Sequence, residues 1–582
     1  MESSFDRSGR TRILLLGLLV IGAIFIIRLF WIQVIQHDRY EALALQNQET
    51  KFTIPAKRGL IYARDGKTVT PLVMNEPVYT VYADPTEVEE PEKIEALIRR
   101  VAGGNIRRSF ETDLTNQKLR YTVLARQVNK TQAELIKREK LAGVGLQEGT
   151  RRVYPEGQLA SQLLGFVNGE GEGQYGLEGM LDDRLKGTPG LLKAITDVRQ
   201  VPLSINDDLV RVPAKNGDNL VLNIDRNVQT YAEKALKDGL ERAKAKHGSV
   251  IVMEPTTGKV LAMANYPTYD PAKFSDVDDI SVFQNSVVSA PYEAGSVIKT
   301  LTMGVGLDKG VVTPETTYQN NGSVQVGDFK ISNATNDSIG TTNMVDVLHY
   351  SLNTGMVYVL KQLGNGSINL TAKQTLFDYF TTKYRFGQKT GIEQAGEQSG
   401  QVIGPKDAEG GEVRYANMTF GQGMDVTMVQ AASAFSAAIN GGTYYKPQLI
   451  GGTRSANGAI EEVAPHTIED GIISPQASST LRSMIVEARQ SSAISKNDRK
   501  GYQIGGKTGT SQIIDPKTGK YTDENSIGTY LGFGGDNTPR YVIMVRVQDS
   551  KLPGYAGTAA AAPIFGDISN WMLDYLQVQP AR

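Results

Sequence analysis

The sequence predicts a layered fold of strands and helices, α+β or α/β, attached to a single membrane-spanning helix. Three stretches lead to that reading. Residues 13–35 (ILLLGLLVIGAIFIIRLFWIQVI) are almost all apolar, and at ~1.5 Å per helical residue they outreach a hydrocarbon layer of ~30 Å. Strand-like runs at 220–224, 249–253 and 259–264 surround Asn227–Lys246, whose apolar residues recur at helical spacing. Residues 529–576 then read as strand, turn, strand and closing helix.

Taken in order, the chain of 582 residues is too long for one hydrophobic core and divides into several units. Residues 1–12 form a short tail carrying Arg7, Arg10 and Arg12. The positive-inside rule therefore expects the tail in the cytoplasm and everything after the apolar run outside the plasma membrane. Bulky Leu29, Phe30 and Trp31 stand where a cleavable signal needs small residues, which favours an uncleaved, single-pass anchor at 13–35. Arg28, inside that span, either snorkels to the outer interface or meets a polar partner helix. Residues 36–215 open with a polar helical stalk at 38–48 and continue as short helices and strands without a strong periodic core. Within them, 87–100 (EVEEPEKIEALIRR) reads as a surface helix with acids early and arginines late, in accord with the helix macrodipole. A polar turn at 213–218 marks the boundary to a globular domain, 216–582. That domain also holds a helix starting near Ser296, another over 344–352 and a small-residue helix over 426–440.

Composition removes several chemistries. Lys and Arg total 62 against 63 Asp and Glu, a net charge of −1, so no basic excess points to nucleic acid. Cysteine is absent, which excludes thiol nucleophiles, disulfides and Cys-type zinc sites. The four histidines, His37, His247, His349 and His466, are too scattered for a metal site and none sits in a nucleophile-elbow or HExxH context.

What remains is a serine nucleophile. Ser296 and Lys299 are three residues apart at the expected start of a buried helix, so they share a face and a hydroxyl can pass its proton to an amine. Lys299 is the only lysine in the chain with a serine at that spacing. Such a pair needs a proton donor for the leaving group and a group that holds substrate charge. Ser351-Leu352-Asn353 offers a hydroxyl and an amide, and it follows an apolar helical turn in the same domain. The same Ser-x-Asn pattern at 204, 367, 455 and 495 has no such context. Gly505-Gly506-Lys507-Thr508-Gly509-Thr510-Ser511 offers a cation and hydroxyls beside glycines that admit close backbone approach. Residues 501–508 also satisfy the P-loop pattern, but a polar stretch precedes them and no helix follows, so they read as a strand edge. Lys-Thr-Gly at 389 and at 517 lacks the flanking glycines and reads as turns.

Ser296-x-x-Lys299, Ser351-x-Asn353 and Lys507-Thr508-Gly509-Thr510, in this order and within one domain, are the motif set of penicillin-binding proteins and serine β-lactamases. The chain resembles a class B penicillin-binding protein across nearly all of 12–575. The resemblance extends to Arg58–Gly66 (RGLIYARDG), Arg152–Gly157 (RVYPEG) with Leu164-Gly165-Phe166, Gly176-Leu177-Glu178, and Gly421-Gln422-Gly423 with Thr427 and Gln430. Ala63, Ala294 and Thr300 depart from the family's usual Asp, Pro and Pro.

The resemblance implies an α+β fold: a membrane anchor, an extended pedestal of the dimerisation type, and a transpeptidase domain, β-lactamase-like, with an antiparallel sheet flanked by helices. It implies a D,D-transpeptidase that cross-links peptidoglycan stem peptides through a Ser296 acyl-enzyme formed at D-Ala-D-Ala, on glycan derived from lipid II. β-Lactams would acylate the same serine. Lys299, neutral through burial and the nearby charge of Lys507, would take the Ser296 proton. Ser351 would relay a proton to the departing amine, and Asn353 would hold the stem amide. Lys507, Thr508, Gly509 and Thr510 would bind the terminal carboxylate, while the backbone N–H groups of Ser296 and Thr510 would hold the oxyanion. No metal or organic cofactor is expected. With no polymerising domain ahead of the pedestal, a membrane glycosyltransferase of the shape, elongation, division and sporulation type is the expected partner, most simply in cell division. The alternatives are a membrane-anchored β-lactamase or β-lactam sensor, or a catalytically vestigial scaffold.

Overall fold

As a computed structural model, the structure describes residues 6–40, 49–195, 211–514 and 521–580. Two compact units emerge, Met1–Arg58 with Lys186–Gly217, and Gly59–Leu185 with Asp218–Arg582. The smaller contains the apolar helix, continuous over Thr11–Ile35 with none of its apolar span buried against protein. At ~1.5 Å per residue this helix is longer than a hydrocarbon layer is thick. The unit also holds a short sheet in which Glu49–Ile54 runs antiparallel to Gly190–Ile195, itself paired with Arg211–Val212. Of the expected stalk at 38–48, residues 41–48 lie outside the described residues.

The larger unit begins with strands β1 (Ile61–Asp65), β2 (Thr68–Ala83), β3 (Thr122–Asn129) and β4 (Val144–Val153). The long β2 pairs with β1 near its start, then with both β3 and β4. Contrary to the sequence reading, this region has a core of its own, with Val81, Ile98, Phe110, Leu124 and Val128 fully buried. The helix Pro91–Val101 buries Ile94, Leu97 and Ile98 in it and is not merely a solvated surface element. Helices here run only five to eleven residues, so no stretch repeats the apolar period often enough to be read.

Strand β5 (Leu220–Asp225) is parallel to β1 and antiparallel to β8 (Ile450–Arg454), so one sheet draws strands from both sides of the polar turn at 213–218. Helix α1 (Arg226–Ala243) follows, capped by the Asp225 carboxylate, which accepts from the N–H groups of Asn227 and Val228. Next come β6 (His247–Met253) and β7 (Val260–Tyr266). They join β9 (Gln503–Ile514), β10 (Tyr521–Gly535) and β11 (Pro539–Gln548), still to come along the chain, in an antiparallel sheet of order β7-β6-β11-β10-β9, with β9 on an edge. Both faces are covered, and the side-chain alternation of a strand assigns them. Val250, Val252, Ile543 and Val545 meet α1 and the C-terminal helix α6 (Ala562–Tyr575). Ile251, Met253, Val542 and Met544 face the larger core. That core is built on α2 (Ile298–Asp308), α3 (Asn353–Leu363), α4 (Met428–Ile439) and α5 (Pro475–Gln490). Helix α4 is buried at every position, as its apolar, small-residue composition requires. Thr427 and Gln430 form its capping box, the Thr427 hydroxyl accepting from the Gln430 backbone N–H and the Gln430 side-chain Oε1 from the Thr427 backbone N–H.

Candidate active site

Ser296 sits in a one-turn 3₁₀ segment, Gly295–Val297, that leads into α2. Its neighbours fix that turn. Gly295 has φ +66°, and a Cβ there would come within 3.0 Å of the Thr510 carbonyl oxygen. The Gly295 N–H donates to the Gly421 carbonyl at 3.1 Å, and a Cβ on Gly421 would stand 2.2 Å from the Gly295 oxygen. Both positions therefore admit only glycine. Two of the family departures are accommodated in place: the Ala294 carbonyl accepts from Thr529 Oγ1 at 3.2 Å, and Thr300 Oγ1 donates to the Val297 carbonyl at 2.7 Å.

Lys299 is fully buried. Its Nζ donates to Ser351 twice, to the carbonyl at 2.6 Å and to Oγ at 3.1 Å, and lies 5.9 Å from the Phe420 ring centre. The sequence spacing placed it beside Ser296; the structure adds that its hydrogen bonds go to Ser351. Burial first, and then the charge of Lys507, hold its pKa well below the usual lysine range.

Ser351 follows a short helix, Met344–His349, and precedes α3, in the left-handed conformation at φ +56°. A serine there is uncommon and strained. The turn ends the helix before the expected 352 and presents both oxygens of Ser351 to Lys299. Asn353, the first residue of α3, donates one of its two amide protons to the Ser332 carbonyl at 2.9 Å.

Lys507, Thr508, Gly509 and Thr510 lie on the edge strand β9, opposite Leu531, Tyr530, Thr529 and Gly528 of β10. The flanking glycines allow close approach: a Cβ on Gly506 would meet the Tyr530 ring at 2.5 Å, and one on Gly509 would meet Thr529 Oγ1 at 2.2 Å. Lys507 is 5% exposed, and burial lowers its pKa to about 7. Its Nζ donates to the carbonyl and hydroxyl oxygens of Thr508 at 3.1 and 3.3 Å. Thr510 Oγ1 accepts from the Gly557 N–H at 3.2 Å. As expected, residues 503–508 are strand, not a loop opening a helix, so the P-loop geometry is absent.

One cleft of about 600 Å³ collects Ser296, Ser351, Asn353 and Lys507 through Thr510, with Lys299 buried behind it. The competing triplets are elsewhere. At Lys389-Thr390-Gly391 the backbone folds around the Glu397 carboxylate, which accepts from the Thr390 and Gly391 N–H groups. Asn369 caps a helix. Residues 515–520, which include the whole Lys517-Thr518-Gly519 triplet, and the Ser204 pattern lie outside the described residues. Among the described residues no cluster of His, Cys, Asp or Glu is placed to bind a metal.

Further residues contribute, and some of them, such as Phe420, Tyr555 and Arg489, carry no local sequence signal. Phe420, Gln422 and Tyr555 also line the cleft. Arg489, fully buried, forms a two-point ion pair with Asp498, its Nε and Nη2 each 2.7 Å from a carboxylate oxygen, and its Nη1 donates to the Tyr530 hydroxyl behind β9. Arg152 Nε donates to Glu178 at 2.8 Å and its Nη1 to Asn75 at 2.7 Å, which joins two of the pedestal motifs in one buried cluster.

Two protein families match successive stretches of the chain. The family described as penicillin binding protein transpeptidase domain matches residues 248–570, and that described as penicillin-binding protein dimerisation domain matches 53–222. Stage V sporulation protein D of Bacillus subtilis is 31% identical over 98% of this chain and 86% of its own length. The peptidoglycan D,D-transpeptidase FtsI of Escherichia coli K12 is 28% identical over 97% and 92%. Among solved structures, penicillin-binding protein 2X from Streptococcus thermophilus superposes with a TM-score of 0.72 at 25% identity, covering 91% of this chain and 80% of that one. Penicillin-binding protein 3 of Mycobacterium tuberculosis, in complex with aztreonam, superposes at 0.69 and 25% identity, covering 91% and 98%.

Proposed function

The chain belongs to the class B penicillin-binding proteins, serine-type peptidoglycan D,D-transpeptidases, and on that premise we propose a role for each residue of the cleft. Ser296 attacks the penultimate carbonyl of a D-Ala-D-Ala stem. Lys299 accepts its proton, and Ser351 passes a proton to the D-alanine that leaves. The backbone N–H groups of Ser296 and Thr510 hold the oxyanion. Lys507, with Thr508, Gly509 and Thr510, holds the terminal carboxylate, and Asn353 holds the stem amide. An amine from a neighbouring stem then attacks the acyl-enzyme and completes the cross-link. The observation that carries this reading is the convergence of Ser296, Ser351 and Lys507 on one cleft, with Lys299 fully buried and hydrogen bonded to Ser351.

The apolar helix at Thr11–Ile35 supports a single-pass anchor, and Arg7, Arg10 and Arg12 support an N-terminus in the cytoplasm with the cleft outside. The glycan substrate would come from a membrane glycosyltransferase of the shape, elongation, division and sporulation type, met through the anchor and the pedestal, with cell division as the setting. The full chain in detergent, given nascent glycan with pentapeptide stems, should release D-alanine and yield cross-linked dimers, and Ser296→Ala should do neither. Dimer formation by Ser296→Ala would overturn the reading. A fluorescent fusion at the side wall instead of the septum would overturn the division setting.

A further inference from the structure

The register of the antiparallel sheet sets Asn265, Ser249, Arg546 and Thr529 in one row across β7, β6, β11 and β10. Residues paired in this way present their side chains on the same face. At one end of the row, Thr529 supports the Ala294 carbonyl. The other end opens into a second cavity of about 340 Å³, lined by Gln162, Ser249, Asn265, Ser286, Arg546 and Gln548 among others. There the Ser249 and Ser286 hydroxyls are 2.7 Å apart, and both donate to Asn265 Oδ1, at 2.9 and 2.7 Å.

Arg546 is poorly satisfied. Among the described residues its Nε is buried without a hydrogen-bond partner, and the guanidinium's one hydrogen bond is a long 3.5 Å contact from Nη2 to Gln548. Among the described residues it forms no ion pair, and the Asp549 carboxylate acts on it only through space. Its guanidinium carbon lies 4.6 Å from the Tyr292 ring centre. Burial pulls its pKa below the usual arginine range, yet a guanidinium stays charged in a protein. A half-buried cation with no carboxylate hydrogen bonded to it is poorly compensated, and a cavity beside it offers room for a closer counter-charge.

We propose that this cavity is an anion site that takes a small oxyanion, a carboxylate or a phosphate, between the Arg546 guanidinium and the Ser249–Ser286 pair, one hydroxyl turning its proton from Asn265 Oδ1 to the anion while the other keeps that bond. The site also touches the nucleophile's segment. Tyr292, against which Arg546 packs, pairs through its backbone with Val426 and precedes Ser296 by four residues. Filling the cavity draws the guanidinium from the ring and alters how readily Ser296 is acylated. This coupling, unlike the binding, rests on the role proposed for Ser296.

The test is calorimetric titration of the full chain in detergent with inorganic phosphate and, separately, acetate at constant ionic strength. It is run in a Lys507→Ala background so that the cation of the active-site cleft does not contribute. Saturable binding of one anion per chain is expected, weakened at least tenfold by Arg546→Gln and at least threefold by Ser249→Ala with Ser286→Ala, and not weakened by Asp549→Asn. Tighter phosphate assigns a phosphate ligand, and tighter acetate a carboxylate. If Arg546→Gln does not fold, the double serine variant decides. Absent saturable binding, or equal binding by these variants, overturns the site. In the unmodified chain, saturating anion should change the rate of penicillin acylation at least twofold, and an unchanged rate overturns the coupling. No acylation even without anion would instead count against the proposed function, leaving calorimetry to decide the site.

Discussion

Lys299 donates to both oxygens of Ser351, at 2.6 Å to the carbonyl and 3.1 Å to Oγ. A neutral amine has two protons and one lone pair, so this pattern uses the protons and, in the role proposed for Lys299, leaves the lone pair for the Ser296 hydroxyl. Burial and the charge of Lys507 favour that neutral form. The left-handed backbone at Ser351 is what brings both acceptors to the amine.

Replacing Lys299 by alanine should slow penicillin acylation by about 10² to 10⁴, the range for loss of a general base. Lys299→Arg should be equally slow, because a guanidinium does not give up its proton. Stopped-flow acylation kinetics measure both. An active Lys299→Arg protein would contradict a neutral base.

The two lysines should give opposing pH limbs. Acylation needs Lys299 neutral, so it rises with pH through a pKa held below the usual lysine range. Carboxylate binding needs Lys507 charged, so in the free protein it falls as pH rises through about 7. KM for a carboxylate-bearing stem peptide should therefore increase above that point. Folding has its own sign: between about 7 and the ordinary lysine value of 10.5 the unfolded chain holds a proton that folded Lys507 has lost, so stability rises with pH across this window. Lys507→Met should flatten that part of the curve in denaturant titrations.

Gly509→Ala should displace the edge strand, since its Cβ would stand 2.2 Å from Thr529 Oγ1 and 2.7 Å from the Ala294 carbonyl. A loss of roughly 1–3 kcal/mol is expected from such overpacking. Acylation should fall more than tenfold, because the strand and the nucleophile's turn move together. Thermal unfolding and acylation rate check the two parts.

Removing one partner of the Arg489–Asp498 pair leaves a buried charge uncompensated, at a cost of about 3–5 kcal/mol. Asp498→Asn should therefore lower the melting temperature sharply. Arg489→Met combined with Asp498→Leu should recover part of the loss, as a double-mutant cycle would record.

What the sequence showed was short-range. The three-residue step from Ser296 to Lys299, the strand-like apolar run of Val250 to Met253, and the small-residue run of α4 all report their structure directly. The residues that support the site are far apart in sequence: Gly421 against Gly295, Thr529 against Gly509, and Arg489 against Tyr530. The left-handed Ser351 was hidden because nothing in a serine's neighbours announces that backbone. The pedestal core escaped notice because short elements each contribute only two or three buried residues to it.

The most direct measurement of the central claim is peptide mapping by mass spectrometry of the full chain after brief exposure to benzylpenicillin. The account predicts a single penicilloyl adduct on the peptide that contains Ser296, absent from Ser296→Ala and formed far more slowly in Lys299→Ala. A covalent adduct on Ser296→Ala, or an adduct on another serine of the unmodified protein, would contradict it.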